Sequence, residues 1–149
     1  MIESDDPSWC SYSNTLVQFA SHDFVIDLRV RLHIAQIRQI QALGLGLTFS
    51  VLTAYNPRGR VVTASENEQR HQRLENLLHT SGWSYLASDG MDPEAQHVER
   101  GFAISLSIKD AEALAIKFEQ SAFFWFDGDS FWIQPALVRA HPTKLPLAT

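Results

Sequence analysis

The sequence contains a single cysteine, Cys10, among its 149 residues. One cysteine cannot form an internal disulfide, and cysteine alone cannot build a zinc site here. This composition agrees with a reducing compartment, and we expect a cytoplasmic protein. Cys10 has no paired base near it and lies toward an end that we expect to be loose, so it does not indicate a catalytic nucleophile.

Long apolar runs and an excess of basic charge are also missing. No stretch reaches the roughly 20 apolar residues of a membrane span, and the acidic N-terminus lacks the basic start of a secretory signal. The formal net charge is −5, which argues against a broad nucleic-acid or anionic-membrane surface. We therefore predict no membrane and no nucleic acid among the partners, although a small local anion site remains compatible with this charge.

Recognisable catalytic and cofactor motifs are absent as well, since the sequence has no Walker loop, no GxGxxG and no zinc-finger or Ser-His-Asp spacing. His71, Glu75 and His79 stand at i, i+4 and i+8, a spacing that can hold a metal. They lie on the helix side away from the leucines, where a solvated face is the favoured interpretation. We predict no metal and no cofactor. The absence of known catalytic motifs leaves open whether the protein is an enzyme.

What is present is the composition of a globular domain. Apolar residues make up 45% of the chain and charged residues 19%, and this length can bury a real core. We predict a single domain over residues 1–149, with loose tails at 1–11 and 138–149.

The apolar periodicity predicts an α+β fold, a ferredoxin-like βαββαβ sandwich over residues 47–126. An N-terminal β-hairpin plus helix and an extra C-terminal strand are predicted additions to it. The predicted strands are 14–20, 24–30, 47–55, 83–87, 101–107, 122–126 and 130–134, and the predicted helices are 31–43, 66–81 and a third that begins after Ser107.

The stretch from Phe49 to Arg60 organises the chain. It begins as a strand that is apolar or small on both faces, as expected for the interior of a sheet. Asn56-Pro57 then ends the strand, because proline cannot donate a hydrogen bond to the ladder. Ser65 is predicted to cap the following helix, with Glu68 completing a capping box.

The turn after this strand is the first candidate site. Asn56, Arg58 and Arg60 lie in it, and arginine side chains suit carboxylate or phosphate. On the next helix, Asn67 and Arg70 lie on the same face as the buried leucines, at its N-terminal end. Polar side chains on a buried face need hydrogen-bond partners. They either pin the turn to the helix or hold an anionic group. The predicted ligand-binding residues are Asn56, Arg58, Asn67, Arg70 and Glu99.

The polar, acidic segment 88–98 is predicted to be a connecting loop. Glu99 follows it and precedes a core strand whose end faces the turn, so we expect it to form a salt bridge with Arg58 or Arg70. If the protein is an enzyme that uses the same pocket, Glu99 or His71 is the predicted acid–base group.

A third candidate is the aromatic cluster in the C-terminal hairpin. Alternation buries about half of these rings, and the outward half indicates a protein interface. The residues predicted to mediate homo-oligomerisation are Trp125, Phe131 and Trp132.

Part of the chain resembles a known family. The residues that carry the resemblance are Thr53-Ala54-Tyr55-Asn56-Pro57-Arg58-Gly59, Glu66-Asn67, Arg70, Gly82-Trp83, Ala113-Leu114, Phe118, Gln120 and Ala122. They resemble a bacterial family of small proteins known only as a domain of unknown function, whose marks are a Thr-Ala-x-Asn-Pro strand end and an Asn-x-x-Arg helix start. The resemblance covers roughly residues 14–126 and departs at Gln96-His97-Val98-Glu99. It implies where a site lies, and it implies no activity.

Three functional hypotheses follow. The first is a binding or regulatory module that accepts an anionic small molecule, or an acidic group of a protein, at the Asn56–Arg60 turn. The second is a small enzyme that uses the same pocket. The third is an interaction module that docks a partner through its aromatic hairpin.

Overall fold

The computed structural model describes residues 9–19 and 23–148, which form an α+β fold with three α-helices and two antiparallel sheets. The predicted α+β class is confirmed. The helices are α1 (Ile34–Gln41), α2 (Ala64–Ser81) and α3 (Ile108–Lys117). The strands are β1 (Leu16–Phe19), β2 (Phe24–Asp27), β3 (Phe49–Thr53), β4 (Tyr85–Ala87), β5 (Asp89–Met91), β6 (Val98–Glu99), β7 (Gly101–Ile104), β8 (Ala122–Phe126), β9 (Phe131–Pro135) and β10 (Thr143–Lys144).

The larger sheet has six strands in the order β10-β9-β8-β3-β7-β4. β3 pairs with β7 on one side and β8 on the other, so the prediction that it is an interior strand is confirmed. The predicted hairpin between β8 and β9 is also confirmed. The tail expected to be loose from residue 138 contains β10, which pairs with β9, and its neighbour Leu145 is buried. This part of the tail is therefore attached to the sheet.

The smaller sheet has the order β2-β1-β5-β6. Its β1–β2 pair confirms the predicted N-terminal hairpin, with strands shorter than predicted. At the N-terminal end, residues 1–8 of the predicted loose arm lie outside the described residues, and Trp9–Asn14 forms a short 3₁₀ helix.

The prediction of a plain loop over 88–98 was wrong. β5 pairs with β1 and β6, while β4 pairs with β7. The chain therefore forms one long bent hairpin that passes between the two sheets at Ser88 and again at Arg100. The strand segments are too short and polar for a local signal, and β5 gains its ladder from β1, which is far away in the sequence.

The larger sheet has a core on each face. β3 shows the division, since Val51 packs with the smaller sheet and α1 whereas Leu52 packs with α2 and α3. The predicted stripe of α3 is confirmed, because its members are all buried. They are Ala111, Leu114, Ala115 and Phe118. In α1, Ile40 is buried but Ile34 is 61% exposed, so the predicted isoleucine stripe is only partly core.

The start of α2 differs from the prediction by two residues. Thr63, and not Ser65, is the N-cap, and its Oγ accepts a hydrogen bond from the N–H of Glu66 at 3.1 Å. Thr63 has the extended backbone that a cap requires, while Ser65 is already inside the helix. Gly82 ends α2 with φ 74°, as predicted. Across the described ranges, none of the helices has the length and apolar character to traverse a bilayer.

Candidate functional site

Asn56 lies directly after β3 and is the centre of the predicted site. Its backbone is left-handed, with φ 46°, a region that asparagine tolerates better than most residues. Its N–H donates to Asn67 Oδ1 at 2.8 Å, and Asn67 Nδ2 donates back to Asn56 Oδ1 at 2.9 Å. Both side chains are buried. The reciprocal bonds fix the turn against the first turns of α2, which confirms the predicted contact between the turn and Asn67.

The remaining groups of Asn56 connect the turn to the bent hairpin. Asn56 Nδ2 donates to Glu99 Oε2 at 2.8 Å, and Asn56 Oδ1 also accepts from the N–H of Val62 at 3.2 Å. The same Glu99 oxygen lies 3.2 Å from His97 Nε2. Because a carboxylate only accepts hydrogen bonds, the proton of this bond is on Nε2. Asn56, Asn67, His97 and Glu99 are called the amide–carboxylate cluster below.

The two arginines of the predicted site lie in a separate cluster. Arg58 Nε is 3.1 Å from Glu119 Oε2, and Arg70 is 3.6 Å from Glu119 Oε1 and 3.8 Å from Glu66. The predicted salt bridge between Glu99 and Arg58 or Arg70 was therefore wrong. Glu119 takes that place, because the end of α3 packs against the turn and its carbonyl accepts the N–H of Arg58 at 2.7 Å.

Sequence reasoning assigned no role to Glu119 or to Ser88. Glu119 follows the last apolar residue of the α3 stripe and has φ 58°. This left-handed conformation at a helix end is usually adopted by glycine, so the sequence did not predict it here. The next residue, Gln120, donates from Nε2 to the carbonyl oxygens of Tyr55 and Phe118 at 3.0 and 3.2 Å. These contacts hold the end of α3 and the end of β3 together, and the only sequence signal for them is a polar pair directly after an apolar stripe.

A cavity of about 330 Å³ lies between the two sheets and ends at the amide–carboxylate cluster. It forms where the bent hairpin leaves the larger sheet. Apolar wall residues come from both sheets and from the N-terminal 3₁₀ helix. They include Tyr12, Val51, Met91 and Phe124. Asn56, His97 and Glu99 line its polar end. The exposed His97 and Pro93 also line it, so the cavity reaches the surface at the tip of the bent hairpin.

His71 is not one of the residues that line this cavity. It is buried on the core side of α2, stacked on Phe102 at 4.6 Å between ring centroids. Burial lowers the pKa of His71, and the positive charge of Arg100 lowers it further. The predicted solvated stripe was therefore wrong at this position. Within the part of the chain that the structure describes, no three metal-ligating side chains come together. Of the two predicted acid–base groups, only Glu99 borders the cavity.

A second, open cleft of about 350 Å³ lies between α2 and the end of α3. Arg70, Arg73 and Lys117 line it together with Glu119. Three cations therefore face one carboxylate there. Arg58 reaches this cleft only through its ion pair with Glu119.

The aromatic hairpin offers less surface than predicted. Phe131 is only 2% exposed and packs against Phe49 and Phe126, so it cannot contact a partner. Trp125 and Trp132 are half-buried neighbours across β8 and β9, and Trp132 Nε1 donates to Asp127 Oδ2 at 2.7 Å. Homo-oligomerisation through these two tryptophans stays a prediction.

Comparison with known proteins bears on the turn, α2 and α3. No curated protein and no solved structure matches the chain. A family model matches a segment of nearly half the chain, which begins inside β3 and ends inside β8. The resemblance that rests on the Thr-Ala-Tyr-Asn-Pro stretch is thereby confirmed: residues 52–123 match the family described as Protein of unknown function (DUF3293).

Proposed function

We propose that this protein is a binding module whose small-molecule ligand occupies the cavity between the two sheets, beside the Asn56 turn. The observation that carries the proposal is the position of the cavity. Its apolar walls lead directly to a cluster in which the Asn56 side chain bonds to Asn67, Val62 and Glu99, and these bonds hold the carboxylate of Glu99 in place.

The size and lining of the cavity agree with this role. Its volume of about 330 Å³ is at the low end of the range for ligand pockets, roughly 300–1,000 Å³. Such pockets combine apolar walls with a few fixed polar groups, because the walls supply affinity and the polar groups supply orientation. The hydrogen bonds from Asn56 and His97 to Glu99 place a polar group before any ligand arrives, which reduces the entropy lost on binding.

Binding of 2-phenylethanol, a neutral aromatic probe, tests the proposal by an NMR titration of backbone amides. We expect saturable shifts at Val51, Gly90 and Gly101, which border the cavity. Gly90→Leu adds a side chain beside Thr15, the nearest neighbour of a Cβ at that position, and should weaken binding about tenfold or more.

Ala87→Leu is the matched control. It adds the same type of bulk at an exposed position on β4 that does not border the cavity, and it should bind like the wild type. Equal affinity in both variants, or shifts without saturation, would contradict the proposal.

We also infer a ferredoxin-like arrangement for β3-α2-β4-β7-α3-β8. Two observations support it. These four strands are neighbours in the order β8-β3-β7-β4, with antiparallel pairing throughout. Leu74 and Leu78 of α2 share one core cluster with Leu114 of α3, so both helices contribute to the same face of the sheet. In this arrangement, the turn after β3 lies beside the end of α3.

An anion site beside the turn is a second candidate, in the cleft between α2 and the end of α3. Of the residues predicted to bind an anion at the turn, Arg70 lines this cleft. The cleft between α2 and α3 favours it, because Arg70, Arg73 and Lys117 converge there and one carboxylate, Glu119, offsets only part of their charge. Arginine side chains suit a phosphate or a carboxylate, including an acidic group of a partner protein.

A titration with inorganic phosphate at constant ionic strength tests this second candidate. We expect saturable amide shifts around Lys117 and Arg73, and Arg73→Gln should weaken binding about fivefold or more. Arg38→Gln on the exposed side of α1 makes the same change of charge elsewhere and should have no effect. Identical weakening in both variants would mean that only the total charge matters, and the cleft would then lose its role.

A further inference from the structure

We propose that the ligand of the inter-sheet cavity is an organic cation, an ammonium group on an apolar body. This inference rests on the proposed function and names the chemical class that the cavity selects. It differs from the anion expected at the turn, because Arg58 and Arg70 pair with Glu119 and do not line the cavity.

The charged residues that line the cavity carry the argument. Glu99 and Asp92 line it, and no lysine or arginine is among its lining residues. Two of the cationic side chains near the turn are engaged elsewhere, since Arg58 pairs with Glu119 and Arg100 pairs with Glu68 at 2.9 Å. A carboxylate ligand at this end of the cavity would meet two like charges, and the one basic side chain among the lining residues, His97, already bonds to Glu99. Such an arrangement is unfavourable for an anion. An ammonium group would meet two opposite charges.

The hydrogen-bonding groups at the polar end point to the same class. Asn56 and His97 both bond to Glu99 Oε2, which leaves Oε1 out of these two bonds. An ammonium group has three donors and no acceptor, so it complements a carboxylate oxygen that has capacity to accept. A short, charge-assisted hydrogen bond of this type is roughly twice as strong as a neutral one.

Ser88 is a second polar residue in the lining of the cavity. It is 1% exposed and lines the cavity, and its Oγ has no hydrogen-bond partner among residues 9–19 and 23–148. Buried hydroxyl groups are ordinarily hydrogen-bonded. A ligand that bonds to Ser88 Oγ would remove this deficit.

Three probes that share an aromatic body and differ in charge test the inference. They are 2-phenylethylamine, which is cationic, 2-phenylethanol, which is neutral, and phenylacetate, which is anionic. We expect the amine to bind the wild-type protein about tenfold tighter than the alcohol, and phenylacetate to bind more weakly than the alcohol, with dissociation constants measured by NMR titration at pH 7.

Glu99→Gln should remove most of the preference for the amine, because the amide keeps an oxygen for Asn56 Nδ2 and loses the charge. Glu94→Gln is the matched control, since Glu94 is exposed at the tip of the same hairpin and does not line the cavity. This control should keep the wild-type order of affinities. The comparison of the three probes on the wild-type protein remains decisive if Glu99→Gln does not fold.

The outcomes separate this inference from the proposed function. Equal affinity for the amine and the alcohol, or tighter binding of phenylacetate, would overturn the cation preference and leave the cavity as a binding site. Failure of all three probes to bind would overturn both. A preference for the amine that survives Glu99→Gln would also overturn the inference, because the charge of Glu99 is its basis.

Discussion

Asn56→Ala is expected to lower the free energy of unfolding by about 4 kcal/mol, the largest effect of any single change at the turn. The side chain takes part in three hydrogen bonds, with Asn67, Val62 and Glu99. Each such bond contributes about 1 kcal/mol, and a buried partner left unsatisfied costs more. Alanine at φ 46° adds roughly 1 kcal/mol of backbone strain. Urea denaturation followed by circular dichroism measures the change.

Asn56→Gly separates the two contributions. It removes the same side-chain bonds but accepts the left-handed backbone, so it should be about 1 kcal/mol less destabilising than Asn56→Ala. If both variants lost less than about 1 kcal/mol, the bonds to Asn67 and Glu99 would not be a structural network. The interpretation of the cluster as a preformed wall of the cavity would then fail too.

The expected loss also clarifies the choice between a structural network and a ligand site. Asn56 is buried and its side chain makes three hydrogen bonds within the protein. In the proposed site, its role is to position Glu99. A structural role for Asn56 and a binding role for the cavity beside it are compatible.

Gly101→Ala is the second change with a large expected effect, a loss of about 3 kcal/mol in the free energy of unfolding. A Cβ at this position would lie 2.5 Å from the carbonyl oxygen of Leu52 and 3.1 Å from that of Ser88. Both are backbone atoms within or beside the sheet, so neither can move aside as a flexible side chain would. Thermal unfolding followed by calorimetry is the measurement.

Gly90→Ala is its matched control, because Gly90 is also a strand glycine that borders the cavity. The nearest atom to its added Cβ is Thr15 Cγ2 at 3.6 Å, an ordinary contact. We expect a change within about 0.5 kcal/mol, with stabilisation favoured because alanine restricts the unfolded chain. A similar loss in both variants would show that any strand side chain is harmful there, and that the close approach of β3 is not the cause.

Gly101 also explains the shape of the cavity. It lies where the bent hairpin joins the larger sheet, and the N–H of Ser88 donates to its carbonyl at 2.9 Å. The absence of a side chain lets the hairpin approach β3 closely at this corner. Beyond the corner the hairpin diverges toward β1, and the space left between the two sheets is the cavity.

Elements with a strong local pattern were predicted correctly. β3, the β8–β9 hairpin and α3 each have the period of their secondary structure, and the Ser107 cap was confirmed by its bond from the N–H of Asp110. The β5–β6 pair was missed, because two or three residues are too few to show a period.

The candidate site was predicted in part for a similar reason. Asn67 is a polar residue at the buried end of a leucine stripe, which signals a need for a partner, and the structure supplies Asn56. Glu99 and Arg58 were predicted to form a salt bridge but lie in different clusters, because Arg58 pairs with Glu119 and Glu99 bonds to Asn56. The position of Glu119 depends on how α3 ends against the turn. The polar pair Glu119-Gln120 after the apolar stripe of α3 does not indicate which residues it contacts.

The sequence by itself determined the α+β class, the interior position of the Phe49–Thr53 strand and the importance of the Thr-Ala-Tyr-Asn-Pro turn. Those features are carried by local periodicity and by residues such as proline and asparagine, whose backbone preferences act at short range. Only the tertiary structure decided that Arg58 and Arg70 pair with Glu119, and that Asn56 and Glu99 border a cavity that neither arginine lines. The physical reason is that a cavity, and the sign of the charge that lines it, arise from side chains brought together from strands and loops far apart in the chain.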